Sequence, residues 1–267
     1  MMLGTVQISG DDIGDAEIRD ISESLRSNSI RLLSLRGCRM DDINYRKLVE
    51  ELKLNTSLVH LNLNLGVVST KDRVTWLAES IKSNTNLTTI LLHGNPLGDL
   101  GMSILAPAFE KHPTIQSLDV GDCQLCDDSI QNISSLLKHK ENKQDIIELT
   151  ITGNRGITQT GWAQLAMAIA HNSRITNLYM DYNNVGDFGA GLLAVALSAS
   201  KHLQVLDLEG TDITDVGADL LCDAIETHNV TLRELNLAEN DINEDILSEI
   251  KECLQENVQS SKNSSSC

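Results

Sequence analysis

A three-residue pattern, in which two apolar residues flank one residue of any type, recurs nine times along the chain. Its copies are Val6–Ile8, Leu33–Leu35, Leu61–Leu63, Ile90–Leu92, Leu118–Val120, Leu149–Ile151, Leu178–Met180, Leu206–Leu208 and Leu235–Leu237. Successive copies begin 27, 28, 29, 28, 31, 29, 28 and 29 residues apart. Self-similarity at such a period indicates an array of stacked repeats, in which each unit buries its apolar face against its neighbours.

Each repeat carries the signals for one strand and one helix. The alternation of apolar residues predicts a short strand. Three residues after the second apolar position, eight units have an Asn, Asp, Cys or Thr that can hydrogen-bond the turning backbone, whereas the third unit has Gly66. A helical pattern follows. Its early glycines, Gly101, Gly161, Gly189 and Gly217, are expected to let the helix approach a strand or a neighbouring helix closely.

Nine strands in one direction, each followed by a helix, predict a parallel sheet with helices on one side. Strands in a sheet are about 4.8 Å apart and packed helices about 10 Å apart, so the stack must curve with the strands on its concave face. We therefore expect an α/β solenoid, a horseshoe of about nine strand–helix units. Residues 1–256 are expected to form a single domain, and the Ser-rich residues 257–267 a disordered tail.

The charge balance restricts the class of partner. Acidic residues outnumber basic residues 38 to 21, and the formal net charge is −17. This balance argues against nucleic acid and against anionic membranes, because both are bound through Lys and Arg. It favours a protein with a basic surface.

The chain has features expected of a cytoplasmic protein. It contains no apolar run of membrane-spanning length, and its first residues do not have the pattern of a secretory signal. The six cysteines fit reduced thiols better than a disulfide framework. We therefore predict a cytoplasmic location, with a cilium as an alternative.

The repeats resemble the ribonuclease-inhibitor type of leucine-rich-repeat proteins over residues 3 to about 255. Five stretches exceed the general repeat pattern and are similar to a group of standalone repeat proteins: LLSLRGCR from Leu32, LNLNLGVVS from Leu61, GDC from Gly121, GITQTGW from Gly156 and LDLEGT from Leu206. The resemblance implies a protein without a NACHT or effector domain and without established catalytic residues. It therefore implies a non-catalytic scaffold or adaptor that binds another protein.

The concave face is expected to carry the partner, because strand residues between the buried apolar positions point into it. Its exposed positions include acids and two of the three tyrosines, at which we expect a basic partner to bind. The candidate binding residues are Asp119, Asp122, Tyr179, Asp181, Tyr182, Asp207, Glu209, His93 and Arg36. The alternative is an ordinary solvated face, since a chain this acidic must place some carboxylates there.

Several groups of residues resemble chemical sites, but the sequence favours structural roles for them. Cys123 and Cys126 form a single C-x-x-C, whereas structural zinc needs four ligands, and Cys123 also occupies the turn position of its repeat. His60 and His93 with Asp119 suggest a metal site that no spacing enforces. No nucleophile-elbow, zinc-protease or phosphate-loop motif occurs. We therefore predict no enzyme, cofactor or metal. The alternative functions are a regulator of an enzyme, such as a GTPase activator or an inhibitor, and a structural component of motile cilia.

Overall fold

The computed structural model describes residues 4–139, 141, 143–171 and 173–264, with side chains to residue 259. The described residues form nine strand–helix units in strict alternation. The strands are β1 (Gly4–Ser9), β2 (Ile30–Arg36), β3 (His60–Asn62), β4 (Thr89–Leu91), β5 (Ser117–Asp119), β6 (Glu148–Thr150), β7 (Asn177–Tyr179), β8 (Val205–Asp207) and β9 (Glu234–Asn236). The helices are α1 (Asp15–Arg26), α2 (Asp42–Leu52), α3 (Lys71–Ser83), α4 (Gly98–Lys111), α5 (Asp127–Leu136), α6 (Gln159–Ala170), α7 (Gly186–Ala199), α8 (Asp215–Thr227) and α9 (Glu244–Ser264). All nine predicted strands are confirmed.

The chain divides into two compact units. Unit 1 is Met1–Leu125 with Lys140–Ile146, and unit 2 is Cys126–His139 with Ile147–Cys267. Unit 1 contains β1 to β5, and unit 2 contains β6 to β9, with each strand parallel to the next in chain order. The single domain over residues 1–256 stays a prediction.

The pairing register explains the repeat period. In unit 1, Leu33, Leu61, Ile90 and Leu118 are aligned across four strands, and each is at most 1% exposed. In unit 2, Leu149, Leu178, Leu206 and Leu235 are aligned in the same way. Full burial of one such side chain contributes about 2 kcal/mol relative to exposure. A register slip of one residue would expose the whole row, so the spacing determines the pairing.

The hydrogen bonds predicted for the turn residues are confirmed. We call the row of these side chains, one after each strand, the turn ladder. Asn95 is fully buried, and its amide nitrogen donates to the carbonyls of Leu63 and Leu92 at 2.9 and 2.6 Å. Asn183 repeats this arrangement in unit 2, with 3.0 Å to the carbonyl of Ile151. Cys123 donates its thiol hydrogen to the Leu92 carbonyl at 3.2 Å, as expected for a ladder residue.

A second ladder, which the sequence analysis missed, follows the helices. Asn84 is 1% exposed, and its amide nitrogen donates to the carbonyl of Leu52 at 2.7 Å while its amide oxygen accepts from the backbone of Asn86 and Leu87. Asn55 and Asn229 make the same paired contacts in their own repeats. These side chains satisfy the carbonyls that a helix leaves unpaired at its last turn.

The expectation of a disordered tail from residue 257 is corrected by the structure, and the second ladder explains why. Helix α9 continues through Ser264, so the region 257–264 is helical. Asn257 is 9% exposed, and its amide nitrogen donates to the carbonyls of Asn229 and Leu232, each at 3.1 Å. The serine content suggested disorder, but these contacts and the burial of Leu254 hold the helix against its repeat. Residues 265–267 lie outside the described residues.

The early helix glycines are contact points, as predicted. A Cβ at Gly217 would lie 2.6 Å from Asp187 Oδ1 and 3.0 Å from the Ala190 Cβ. Asp187 Oδ1 accepts from the Gly217 and Thr214 amides at 3.0 and 2.8 Å, so the first turn of α7 caps α8. Gly161 is placed in the same way, because Asp127 accepts a hydrogen bond from its amide and a Cβ at Gly161 would overlap the Asp127 carboxylate. Among the described helices, none has the length and apolarity required to cross a bilayer.

Candidate functional site

The predicted binding residues lie on or just after the strands, on the side that faces away from the helices, here called the strand surface. Asp119 and Asp207 end their strands, and each accepts the backbone amide two residues further on, Asp119 from Gly121 at 2.9 Å and Asp207 from Glu209 at 3.0 Å. Asn236 does the same for Ala238. These carboxylates therefore turn the chain at the strand end, as well as facing solvent.

The position after this turn has left-handed backbone in all nine described repeats. Five repeats have glycine there, with φ between 59° and 75°. The other four have a side chain at this position: Leu65, Asp122, Tyr182 and Glu239, with φ of 63°, 46°, 57° and 56°. A residue with a Cβ loses about 1 kcal/mol or more in this region. Four exposed side chains are thus held on the strand surface at a conformational cost that glycine would avoid.

In unit 1 the structure brings His93 and Asp119 together. His93 Nδ1 lies 3.6 Å from Asp119 Oδ1, and a Cβ at Gly121 would meet His93 Nδ1 at 2.5 Å. Gly121 therefore provides the space in which the imidazole lies. Arg36 and Asp122 are exposed on the same unit, and neither forms an ion pair with a described residue.

In unit 2 the predicted residues form a connected group, here called the acidic-aromatic cluster, which consists of Tyr179, Asp181, Tyr182, Asp207 and Glu209. Tyr182 donates its hydroxyl hydrogen bond to Glu209 Oε1 at 2.5 Å. Its ring lies over Gly210, where a Cβ would meet ring carbons at 2.9 Å. Tyr179 pairs with Asp207 across neighbouring strands, which places its side chain beside the carboxylates.

Two neighbours that the sequence analysis left out of the site orient its carboxylates. Asn236 donates to Glu209 Oε2 at 2.9 Å and to Asp207 Oδ1 at 3.1 Å. Thr152 donates its hydroxyl to Asp181 Oδ1 at 2.6 Å. Asn236 occupies the repeat position of Asp207, and Thr152 occupies that of Asp181. The repeat alignment could therefore have identified them as lateral neighbours, although not as donors.

The electrostatics of the cluster differ from one carboxylate to the next. The pKa of Asp181 is raised, first by burial and then by the charges of Asp207 and Glu209, against the hydrogen bond from Thr152. The pKa of Glu209 is lowered by the hydrogen bonds from Tyr182 and Asn236. The same hydrogen bond raises the pKa of Tyr182 to about 12, so it remains a donor at neutral pH.

The arrangement is suited to holding a cation. Within the described part of the chain, no Lys or Arg forms an ion pair with Asp181, Asp207 or Glu209. Arg155 is a nearby base, and its Nε donates to the Tyr182 carbonyl at 3.4 Å. A guanidinium or ammonium group from a partner would find three carboxylates beside aromatic rings.

The other chemistry considered from the sequence has a structural explanation here. Burial raises the pKa of the Cys123 thiol to about 12, and this thiol donates to a ladder carbonyl. The described residues contain no group of three or more His, Cys, Asp or Glu side chains arranged to hold a metal. Trp162 is 1% exposed, and its indole nitrogen donates to the Asn184 carbonyl of the next repeat at 3.0 Å, so it packs between neighbouring repeats.

Comparison with known proteins supports the repeat assignment. A family model described as Leucine Rich repeat matches residues 199–222 and 228–251. The chain is 45% identical over 256 residues to leucine-rich repeat-containing protein 73 from Rattus norvegicus and from Homo sapiens, covering 96% of this chain and 81% of each relative. It is 29% identical over 185 residues to NACHT, LRR and PYD domains-containing protein 14 from Mus musculus, covering 68% of this chain and 18% of that protein.

A solved structure shows a similar fold. The chain matches a structure described as the crystal structure of Rad7 and Elc1 complex in yeast, with a TM-score of 0.61, 16% identity and coverage of 90% of this chain and 59% of that chain. The family group suggested by the LLSLRGCR and GITQTGW stretches is confirmed by the rat and human relatives. With nine strand–helix repeats and 45% identity over nearly its whole length, the chain belongs to the leucine-rich-repeat family, in the group of leucine-rich repeat-containing protein 73.

Proposed function

We propose that this chain is a non-catalytic protein-binding module and that the acidic-aromatic cluster binds a basic segment of its partner. The observation that carries the proposal is that Tyr182, Asn236 and Thr152 orient three carboxylates that have no cationic partner among the described residues. Prior orientation lowers the conformational entropy that these carboxylate side chains would lose when a partner's Lys or Arg binds. Stacked repeats generally bind proteins through such extended surfaces.

The conformational cost at the cluster supports binding over simple solvation. An acid in an ordinary solvated face would not need to be partly buried, yet burial raises the pKa of Asp181. Tyr182 has left-handed backbone where five other repeats use glycine. Unfavourable local energies of this kind concentrate at binding sites, where the bound partner offsets them.

The proposed location of this activity is the cytoplasm. Among the described cysteines, Cys38, Cys123, Cys126, Cys222 and Cys253 are free thiols. Free buried thiols are typical of reducing compartments. A basic partner in that compartment would be attracted by the net charge of −17.

The test is cross-linking with mass spectrometry in native cells, comparing the wild type with Asp181→Lys/Glu209→Lys. Because Asp181 is half-buried, the isosteric pair Asp181→Asn/Glu209→Gln is measured in parallel to separate loss of charge from loss of fold. The control is Asp20→Lys/Glu79→Lys, which changes net charge equally on exposed helical positions of unit 1. All variants are first compared by thermal unfolding.

The expected result is selective loss of one basic partner with both cluster variants and its retention with the control. A partner list unchanged by either folded cluster variant would contradict the proposal. Stimulation of GTP hydrolysis by a captured GTPase would favour the alternative of an enzyme regulator, because a scaffold has no such effect.

A further inference from the structure

Helices α6 and α7 lack the charged outer face that is usual for surface helices. The sequence of α6, QTGWAQLAMAIA, contains no charged residue, and that of α7, GDFGAGLLAVALSA, contains only Asp187. Asp187 is occupied in capping α8 through Thr214 and Gly217. A helix that is apolar on all sides is normally buried on all sides.

Helix α7 is nevertheless exposed along one apolar stripe. Phe188 and Val195 are 56% and 69% exposed, and Leu192 between them is half-buried. Their spacing of i, i+4 and i+7 places them on one face of the helix. The opposite face, with Leu193 and Leu197, fills the core of the repeat.

The stripe continues onto the neighbouring helix. Val216 and Leu220 of α8 are 63% and 43% exposed. The two helices approach closely, because a Cβ at Gly191 would meet Leu220 Cδ1 at 3.2 Å. The absence of a side chain at Gly191 leaves a shallow place beside Leu220. We call Phe188, Leu192, Val195, Val216 and Leu220 the helix-side patch.

Carboxylates border this patch along α8. Asp219, Asp223 and Glu226 are exposed and recur at helical spacing on the side that carries Val216 and Leu220. None of the three forms an ion pair with a described residue. The surface therefore combines an apolar stripe with a line of negative charge.

We propose that the helix-side patch binds an amphipathic basic α-helix of a partner protein. The apolar side chains of the partner's helix pack on Phe188, Val195 and Val216, and the Lys or Arg residues of that helix lie beside Asp219 and Asp223. Contiguous exposed apolar surface with a polar rim is typical of protein interfaces, and i, i+4, i+7 anchors fit helix-in-groove recognition. This surface is separate from the acidic-aromatic cluster, since it lies on helices rather than on strand ends.

The carboxylates of α8 that border the patch favour a basic helix over two other possible binding partners. A second copy related by two-fold symmetry would bring one set of α8 carboxylates toward the other, and like charges at an interface oppose association. An anionic lipid surface would be repelled in the same way. A helix with an apolar face and a basic flank satisfies both parts of the patch.

The test uses the whole chain and a fluorescein-labelled Leu/Lys model helix with leucines at i, i+3, i+4 and i+7. A peptide of the same composition in scrambled order, and a Leu/Glu version, are the probe controls. Binding is measured by fluorescence anisotropy, and the site is mapped by NMR shifts of backbone amides. The variants are Phe188→Gln/Val195→Gln for the apolar stripe and Asp219→Lys/Asp223→Lys for the charged rim. Leu100→Gln is the matched control, because Leu100 is 58% exposed on α4 of unit 1.

We expect the Leu/Lys helix to shift amides of α7 and α8 and to bind more tightly than either control peptide. Each double variant should weaken binding by on the order of 10-fold or more, whereas Leu100→Gln and Asp181→Asn/Glu209→Gln should not. Shifts confined to strand ends, or equal binding by folded patch variants, would overturn the proposal. A wild-type dimer in sedimentation that Phe188→Gln/Val195→Gln makes monomeric would also overturn it, by identifying a second copy as the occupant.

Discussion

The hydroxyl group of Tyr182 donates a hydrogen bond to Glu209 at 2.5 Å. The backbone of Tyr182 has a φ of 57°, a conformation that five other repeats adopt with glycine. The two residues come from consecutive repeats, 27 positions apart. Their contact depends on Gly210, since a Cβ there would lie 2.9 Å from the Tyr182 ring. An aromatic residue thus replaces glycine in one repeat because glycine is retained in the next.

Replacing Tyr182 with Phe should raise the pKa of Glu209. The wild-type pKa of Glu209 is lowered first by the Tyr182 hydroxyl and then by Asn236, so removal of the larger cause moves it toward its ordinary value. The ring and the backbone conformation are kept. A carboxyl NMR titration checks this, with Tyr179→Phe as the control because no bond joins its hydroxyl to Glu209. An unchanged Glu209 titration in Tyr182→Phe would contradict the hydrogen bond.

Replacing Asp181 with Asn should raise the thermal stability at neutral pH while weakening binding of a basic partner. Because the folded-state pKa of Asp181 is raised above 3.8, its stabilising contribution is present below that pH and is lost as pH rises through the folded value. The amide has no charge to desolvate. The difference in Tm between variant and wild type, measured across pH, should shrink toward acid. A variant less stable than wild type at neutral pH would be the opposite result.

Replacing Gly217 with Ala should destabilise unit 2 by roughly 1–3 kcal/mol, because the new methyl group would overlap backbone and Asp187. Gly191→Ala is the matched control within the neighbouring helix. Its Cβ would meet only the end of the Leu220 side chain, and alanine gains about 1 kcal/mol in helix propensity. Denaturant unfolding should therefore separate the two variants in opposite directions. Equal effects would show that helix propensity alone decides both.

Replacing Asn229 with Ala should cost roughly 2–4 kcal/mol, because buried amides and a carbonyl lose their partner. Asn229→Ser should cost less. Serine already fills this place at Ser200, where the hydroxyl oxygen accepts the backbone amides of His202 and Leu203 but does not replace the donating amide nitrogen of asparagine. Denaturant unfolding of both variants measures the contribution of each half of the asparagine. Equal losses of stability in Asn229→Ala and Asn229→Ser would contradict the view that the amide nitrogen and the amide oxygen of this asparagine each contribute.

The acidic-aromatic cluster was only partly predictable. Its members could be placed on one face from the period alone, because strand residues alternate sides. The roles of Asn236 and Thr152 depend on which side chains meet across strands, and this needs the register. The second asparagine ladder was missed because an Asn after a helix resembles an ordinary cap. Its amide reaches a carbonyl about 30 residues earlier, as Asn84 does to Leu52.

The sequence by itself determined the number of repeats, their parallel strands and the first ladder, since apolar spacing and turn residues act within one unit or on its immediate neighbour. Only the tertiary structure decided which residues have an unfavourable backbone conformation, a desolvated charge or an exposed apolar side chain. The left-handed backbone at Tyr182, the desolvation of Asp181 and the surface of Phe188 that no neighbouring repeat covers are visible only in the stacked structure. The physical reason is that burial and lateral hydrogen bonds join residues nearly thirty positions apart, which no local pattern encodes.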